Sequence, residues 1–175
     1  MATTILAILS GTPLWVWALL AGLTGLGLQA TRARRVKLRR VFATPLAFVG
    51  WGLATLALHA GPTALVAWPT AASLGLVLGL AVTRLDGVRG DRALGVVELP
   101  GSWLPLIRNL GIFGVRYALA VAAALLPAAH DRLMLWDLAV SGLSAGYFAG
   151  WLAVFMRRWR HTPSAPRAAG VVVPR

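Results

Sequence analysis

The sequence predicts an all-α integral membrane protein: a five-helix transmembrane bundle with a small cytoplasmic β-hairpin between helices three and four. Three observations predict it. Hydrophobic residues make up 58% of the 175 and charged residues only 13%, about half the charged share of ordinary soluble domains. A soluble fold of this length cannot hide that much apolar side chain. The charged residues also come in bursts between long uncharged runs. Finally, the basic bursts alternate with junctions almost free of them, as the positive-inside rule requires of a multi-pass chain.

The elements follow in order. No Lys or Arg precedes the first apolar run, so the basic start of a secretory signal is missing and the N-terminus is expected to be retained. Ile5 to Leu9 reads as a short turn at the interface. Thr12-Pro13 reads as an N-cap with proline at the first helical position, opening a first span at about 13–30. Trp15 and Trp17 stand where an aromatic belt belongs. The next uncharged stretch, Val41 to Thr83, would be about 65 Å long as one helix, twice the hydrocarbon core. It must fold back, and "HAGP" at His59 to Pro62 supplies the turn. That gives spans at about 42–58 and 62–83, with Pro45 in the first turn of the former and Pro69 bending the latter.

"RLDGVRGDRALGVVELPGSW", Arg84 to Trp103, breaks the apolar pattern. Its Asp86-Gly87, Gly90-Asp91 and Pro100-Gly101 pairs are turn chemistry, and "ALGVVEL" between them resembles a short strand. This is the expected hairpin. Ser102 then caps a fourth span at about 103–126, with Pro105 in its first turn. "AAHDR" reads as a tight turn, and the fifth span at about 133–156 stops at "RRWRH". Residues 1–160 form one transmembrane domain. Residues 161–175, rich in Pro and Ala, read as a disordered cytoplasmic tail.

Five crossings put the termini on opposite sides. Arg32, Arg34, Arg35, Lys37, Arg39 and Arg40 follow span one. Three more basic residues follow span three and five (Arg157, Arg158, Arg160, Arg167 and Arg175) follow span five, whereas the other two junctions hold only Arg132. This fourteen-to-one bias places the N-terminus outside and the C-terminus in the cytoplasm. The first cluster is therefore a topology signal that also meets anionic headgroups. A nucleic-acid grip needs base-stacking or base-reading groups beside the charge, and only Phe42 is near. Every basic residue but Lys37 is arginine. That bias suits GC-rich coding and hence a bacterial cytoplasmic (inner) membrane.

"SGTPLWVWALLAGLTGLGLQATRARRV", "RRVFATPLAFVGWGL" and "PGSWLPLIRNLGIFGVRYALAV" are together similar to an uncharacterised family of small bacterial multi-pass inner-membrane proteins, a domain of unknown function. The resemblance covers Ser10 to about Arg160. A fainter likeness is to the CcdC-type membrane proteins. These share a basic loop before a Pro-containing second helix and an Arg midway along the penultimate helix. Neither resemblance implies catalytic residues.

Few residues are out of place in a membrane. Arg108, near the start of span four, is expected to snorkel to the cytoplasmic surface. Arg116 lies about 20 Å in, beyond easy reach of that surface. Asn109, Phe113, Arg116 and Ala120 share one face, which should point into the bundle. Arg116 is either a structural group or an anion or proton site. Asp137 is the one acid inside any predicted span, so the two form a candidate intramembrane polar pair. Asp137, Ser141, Ser144 and Phe148 line one face of span five. Gly142, Gly146 and Gly150 line another, where small residues let a helix approach closely, either within the bundle or across a dimer seam.

His59, His130 and His161 lack metal-ligand spacing and read as surface residues. There is no cysteine. With no catalytic triad, metalloprotease motif or phosphate loop either, no catalytic, cofactor-binding or metal residue is assigned. The expected role is a non-enzymatic accessory or structural envelope component without a cofactor. Its partners are the lipid bilayer and a membrane-protein partner or a second copy of the chain. The alternative is a small transporter or channel subunit using Arg116, although such proteins typically show paired repeats.

Overall fold

The computed structural model describes residues 8–59, 61–85, 88–91 and 95–161. Among the described residues, helical residues 8–11 are followed by five longer helices and a small sheet: α1 (Leu14–Ala30), β1 (Arg34–Lys37), α2 (Leu38–Leu58), α3 (Pro62–Val82), β2 (Arg89–Asp91), β3 (Val96–Leu99), α4 (Leu104–Leu125) and α5 (His130–His161), with a 3₁₀ turn at Pro127–Ala129. α2, α3, α4 and α5 are long and apolar enough to cross a membrane, while α1, at 17 residues, is a shorter apolar helix. Large apolar side chains such as Leu65, Val66, Leu74 and Val77 on α3 stand exposed, as they do on a surface solvated by lipid.

α5 is the hub. Its buried residues include Leu138, Ser141, Gly142, Ser144, Ala145, Gly146, Phe148 and Gly150, so it is enclosed on several faces. α2, α3 and α4 all pack on it, and α1 packs on α4. Phe48 of α2 stacks on Phe148, with ring centroids 4.3 Å apart. Phe42 meets Phe155 edge to face.

The sheet differs from the expected hairpin. β2 and β3 are antiparallel, as a hairpin requires, but β3 also pairs with β1, giving the order β1-β3-β2. Arg34 lies opposite Leu99 and Lys37 opposite Val96. The first basic cluster is thus partly a strand. Its alternation puts Val36 inward, against a small core of Val41, Leu85, Val97 and Phe155, while Arg35 and Lys37 stay exposed. Trp159, near the end of α5, lies against Gly90, where a Cβ would meet its ring. The sheet therefore draws both basic loops and the end of α5 to one end of the bundle.

Several boundaries also move. α2 begins at Leu38, whose amide bonds the Gly95 carbonyl at 2.9 Å, so the strand feeds straight into the helix. Pro45 therefore sits inside the helix and is buried, rather than lying in its first turn. α5 starts at His130, directly after the 3₁₀ turn, so "AAHDR" is half helix. Asp131 in its first turn suits the helix dipole. "RRWRH" continues α5 to His161, because Phe155 and Trp159 still have the sheet to pack on. Thr12 is not an N-cap. Pro13 takes that position, and the Thr12 hydroxyl donates to the Ile8 carbonyl instead. The Ser102 hydroxyl accepts from the Leu104 amide at 3.2 Å, with Trp103 at the cap position. Of the expected Ile5–Leu9 turn, Ile8 and Leu9 are helical; Ile5, Asp86-Gly87, Arg92 and residues 162–175 lie outside the described residues.

Candidate functional site

Arg116 and Asp137 come together. Short connections make α4 and α5 antiparallel neighbours, and the helical rise brings the two side chains within reach. Nε of Arg116 donates to Oδ1 of Asp137 at 2.9 Å, and Nη2 donates to Oδ2 at 2.8 Å. This is the fork geometry that guanidinium and carboxylate form best. The side chains keep 26% and 20% of their exposure, so the pair is not sealed inside the bundle.

What the pair faces is a cleft of about 790 Å³. α1 and α2 form its walls through Trp15, Leu19, Phe48 and Trp51. α4 and α5 form its floor through Asn109, Phe113, Arg116, Ala120 and Asp137. The face of α4 expected to point into the bundle lines this space instead, with Asn109 buried, Phe113 and Arg116 half-buried and Ala120 exposed. Thr12 and Tyr117 share a hydroxyl hydrogen bond of 2.7 Å, which ties the segment before α1 to α4 at the margin of the cleft. Asn109 is 5% exposed, and its Oδ1 has no hydrogen-bond partner. An unpartnered polar atom in such a place is costly and calls for an explanation.

Arg108 does not snorkel. Its guanidinium lies over the ring of Phe148 at 4.4 Å and beside Tyr147 at 5.4 Å. The quadrupoles of these α5 rings attract the cation.

The glycine stripe packs within the chain. Cβ atoms on Gly142, Gly146 and Gly150 would strike the backbone of α3 at Trp68, Ala72 and Leu76. The contact is reciprocal, because Cβ atoms on Gly75 and Gly79 would strike the backbone of α5 at Leu143 and Tyr147. Gly75 and Gly79 were missed in the sequence, although their four-residue spacing carries the same signal as the α5 stripe. His59 and His130 are both exposed. His59 engages its own helix through Nδ1 and the Thr55 carbonyl, 3.0 Å apart. Among the described residues, no group of three or more His, Asp or Glu stands together as metal ligands would.

The chain belongs to a family of unknown function, DUF6622, whose model matches residues 1–166. No curated protein and no solved structure matches it.

Proposed function

We propose that the chain is a five-span protein of a bacterial cytoplasmic membrane, with its N-terminus outside and its C-terminus in the cytoplasm, and that it serves there as a non-enzymatic accessory or structural component. The observation that carries this reading is the sheet. β1 follows α1, and β2 and β3 follow α3, so their pairing requires those two junctions to share one end of the bundle. These are the junctions that charge alone assigns to the cytoplasm, and Trp159 brings the basic end of α5 to them. α1, as the fifth span, is about 25 Å long, near the lower limit for crossing. Its tryptophans lie toward one end and the basic strand follows the other.

The accessory reading draws on how the membrane-depth charges are used. Arg116 and Asp137 neutralise each other, and Arg108 rests on aromatic rings. The transporter or channel reading draws on the same Arg116 lining a cleft. An alkaline-phosphatase reporter, active only outside the cytoplasm, tests the topology. Fusions at Gly61 and His130 should be active, and fusions at Gly90 and after Arg160 silent. Activity at Gly90 would sink the five-span arrangement.

A further inference from the structure

We propose that the cleft between α1 and α2 is a lateral binding site for an uncharged, hydroxyl-bearing amphiphile, with its apolar chain between the two helices and its oxygens on Asn109 and Arg116. The proposal rests on the membrane reading above, since the cleft's walls carry the exposed apolar side chains Trp15, Leu19 and Trp51. About 790 Å³ lies within the range of pockets that take one small organic molecule.

Two polar features select the head. Asn109 lines the cleft, is more than nine-tenths buried, and has an Oδ1 without a partner. Oδ1 is itself covered, so a hydroxyl meets the amide once the Asn109 side chain turns toward the cleft; it then donates to Oδ1 or accepts from the amide nitrogen. The contact with Asp137 takes up Nε and Nη2 of Arg116 and leaves Nη1 outside it. Its N–H groups suit an oxygen acceptor. About 10 Å of helix separates the two residues, so a head with more than one oxygen fits better than a single hydroxyl.

Charge selects against ionised heads. The Arg116–Asp137 pair is neutral as a unit, and the remaining lining is uncharged. An anion would face the Asp137 carboxylate or compete with it for Arg116. A cation would face Arg116. Either would leave a charge uncompensated in low dielectric.

The test uses the full chain in phosphatidylcholine nanodiscs. The probe is a monoacylglycerol with a diazirine in mid-chain, and the comparison is the matching diazirine fatty acid. After illumination, labelled residues are mapped by mass spectrometry. Recovery of folded protein in the nanodisc reports on the membrane reading, and the labelling pattern reports on the cleft. Labelling with the neutral probe should saturate, concentrate on Leu19, Phe48 and Phe113, and be displaced by unlabelled monoacylglycerol. Val66, Leu74 and Val77 on the lipid-exposed face of α3 should label only in proportion to probe density. Asn109→Leu should weaken cleft labelling by roughly tenfold, the value of one lost hydrogen bond. Ala120→Phe, which fills the cleft and leaves the polar groups alone, should remove it. Even labelling of cleft and α3 face, or stronger cleft labelling by the fatty acid, would overturn the proposal. So would full labelling of both variants.

Discussion

Two faces of α5 are held by opposite means. Against α3, the seam is backbone on backbone: Gly142, Gly146 and Gly150 interleave with Gly75 and Gly79. Against α4, it is side chain on side chain, with the Arg116–Asp137 fork and the Arg108 guanidinium over Phe148. Lipid tails are as apolar as leucine, so neither seam gains much from the hydrophobic effect. Adhesion must come from close dispersion contact or from polar bonds that lipid cannot supply. The glycine seam takes the first route and closes. The polar seam takes the second, and its long side chains hold the helices while the cleft beside them stays open.

The largest expected effect breaks the closed seam. Gly146→Leu puts a branched side chain where the Ala72 backbone lies. Overpacking of a well-filled contact typically costs about 1–3 kcal/mol and sometimes more. Here backbone rather than a flexible side chain must yield, so the upper end or beyond is expected. The apparent Tm in mild detergent should fall by roughly 10 °C or more. Gly111→Leu on α4, where a Cβ would meet nothing within 4 Å, is the control and should cost little. Equal behaviour of the two variants would mean that the α3–α5 seam is not tight.

Next comes the open seam. Arg116→Leu and Asp137→Leu each strand one charge at membrane depth. Breaking a buried pair on one side costs about 3–5 kcal/mol. The residual exposure of both side chains argues for the lower figure. Each single variant should lower the apparent Tm by roughly 6–12 °C, and the double variant should recover part of the loss. Simple additivity of the two losses would show that the fork is not an energetic unit, and Arg116 would then be better read as facing a transported ion.

How legible this was depended on whether the signal was local. The Arg116–Asp137 partnership could be argued from two numbers, the helical rise and the length of the α4–α5 connection. The α5 glycine stripe could be read from its spacing, but its partner on α3 went unread because the apolar residues around Gly75 and Gly79 masked it. β1 was missed for a different reason. "RRVKL" alternates in the way a strand does, yet its charge gave it a sufficient explanation as a topology signal. Nothing local says that β3 will pair with it across a separation of more than fifty residues. That pairing also moved the start of α2 and so turned Pro45 from a first-turn residue into an interior one. The cleft was not legible at all, because it is the space that side chains from four helices fail to fill.

The smallest expected effect concerns Ser141. It lies on the polar face of α5 and is 2% exposed, and its hydroxyl has no hydrogen-bond partner. Ser144, one turn on, bonds the Val140 carbonyl of its own helix at 2.7 Å. Neither hydroxyl reaches across a seam, so polarity on this face is not in itself adhesive. The links from this face to α4 run through other groups: Asp137 bonds Arg116, and Phe148 lies under the Arg108 guanidinium. Ser141→Ala removes an unsatisfied group of nearly the same volume, and losing its desolvation penalty offsets the small loss of contact. The variant should shift the apparent Tm by no more than about 3 °C, upward if at all. A fall comparable to that of Asp137→Leu would show that the Ser141 hydroxyl holds a bound water or a second helix. The Ser141 hydroxyl would then add a polar bond of its own to the adhesion that the fork, the Arg108 contact and the glycine seam supply.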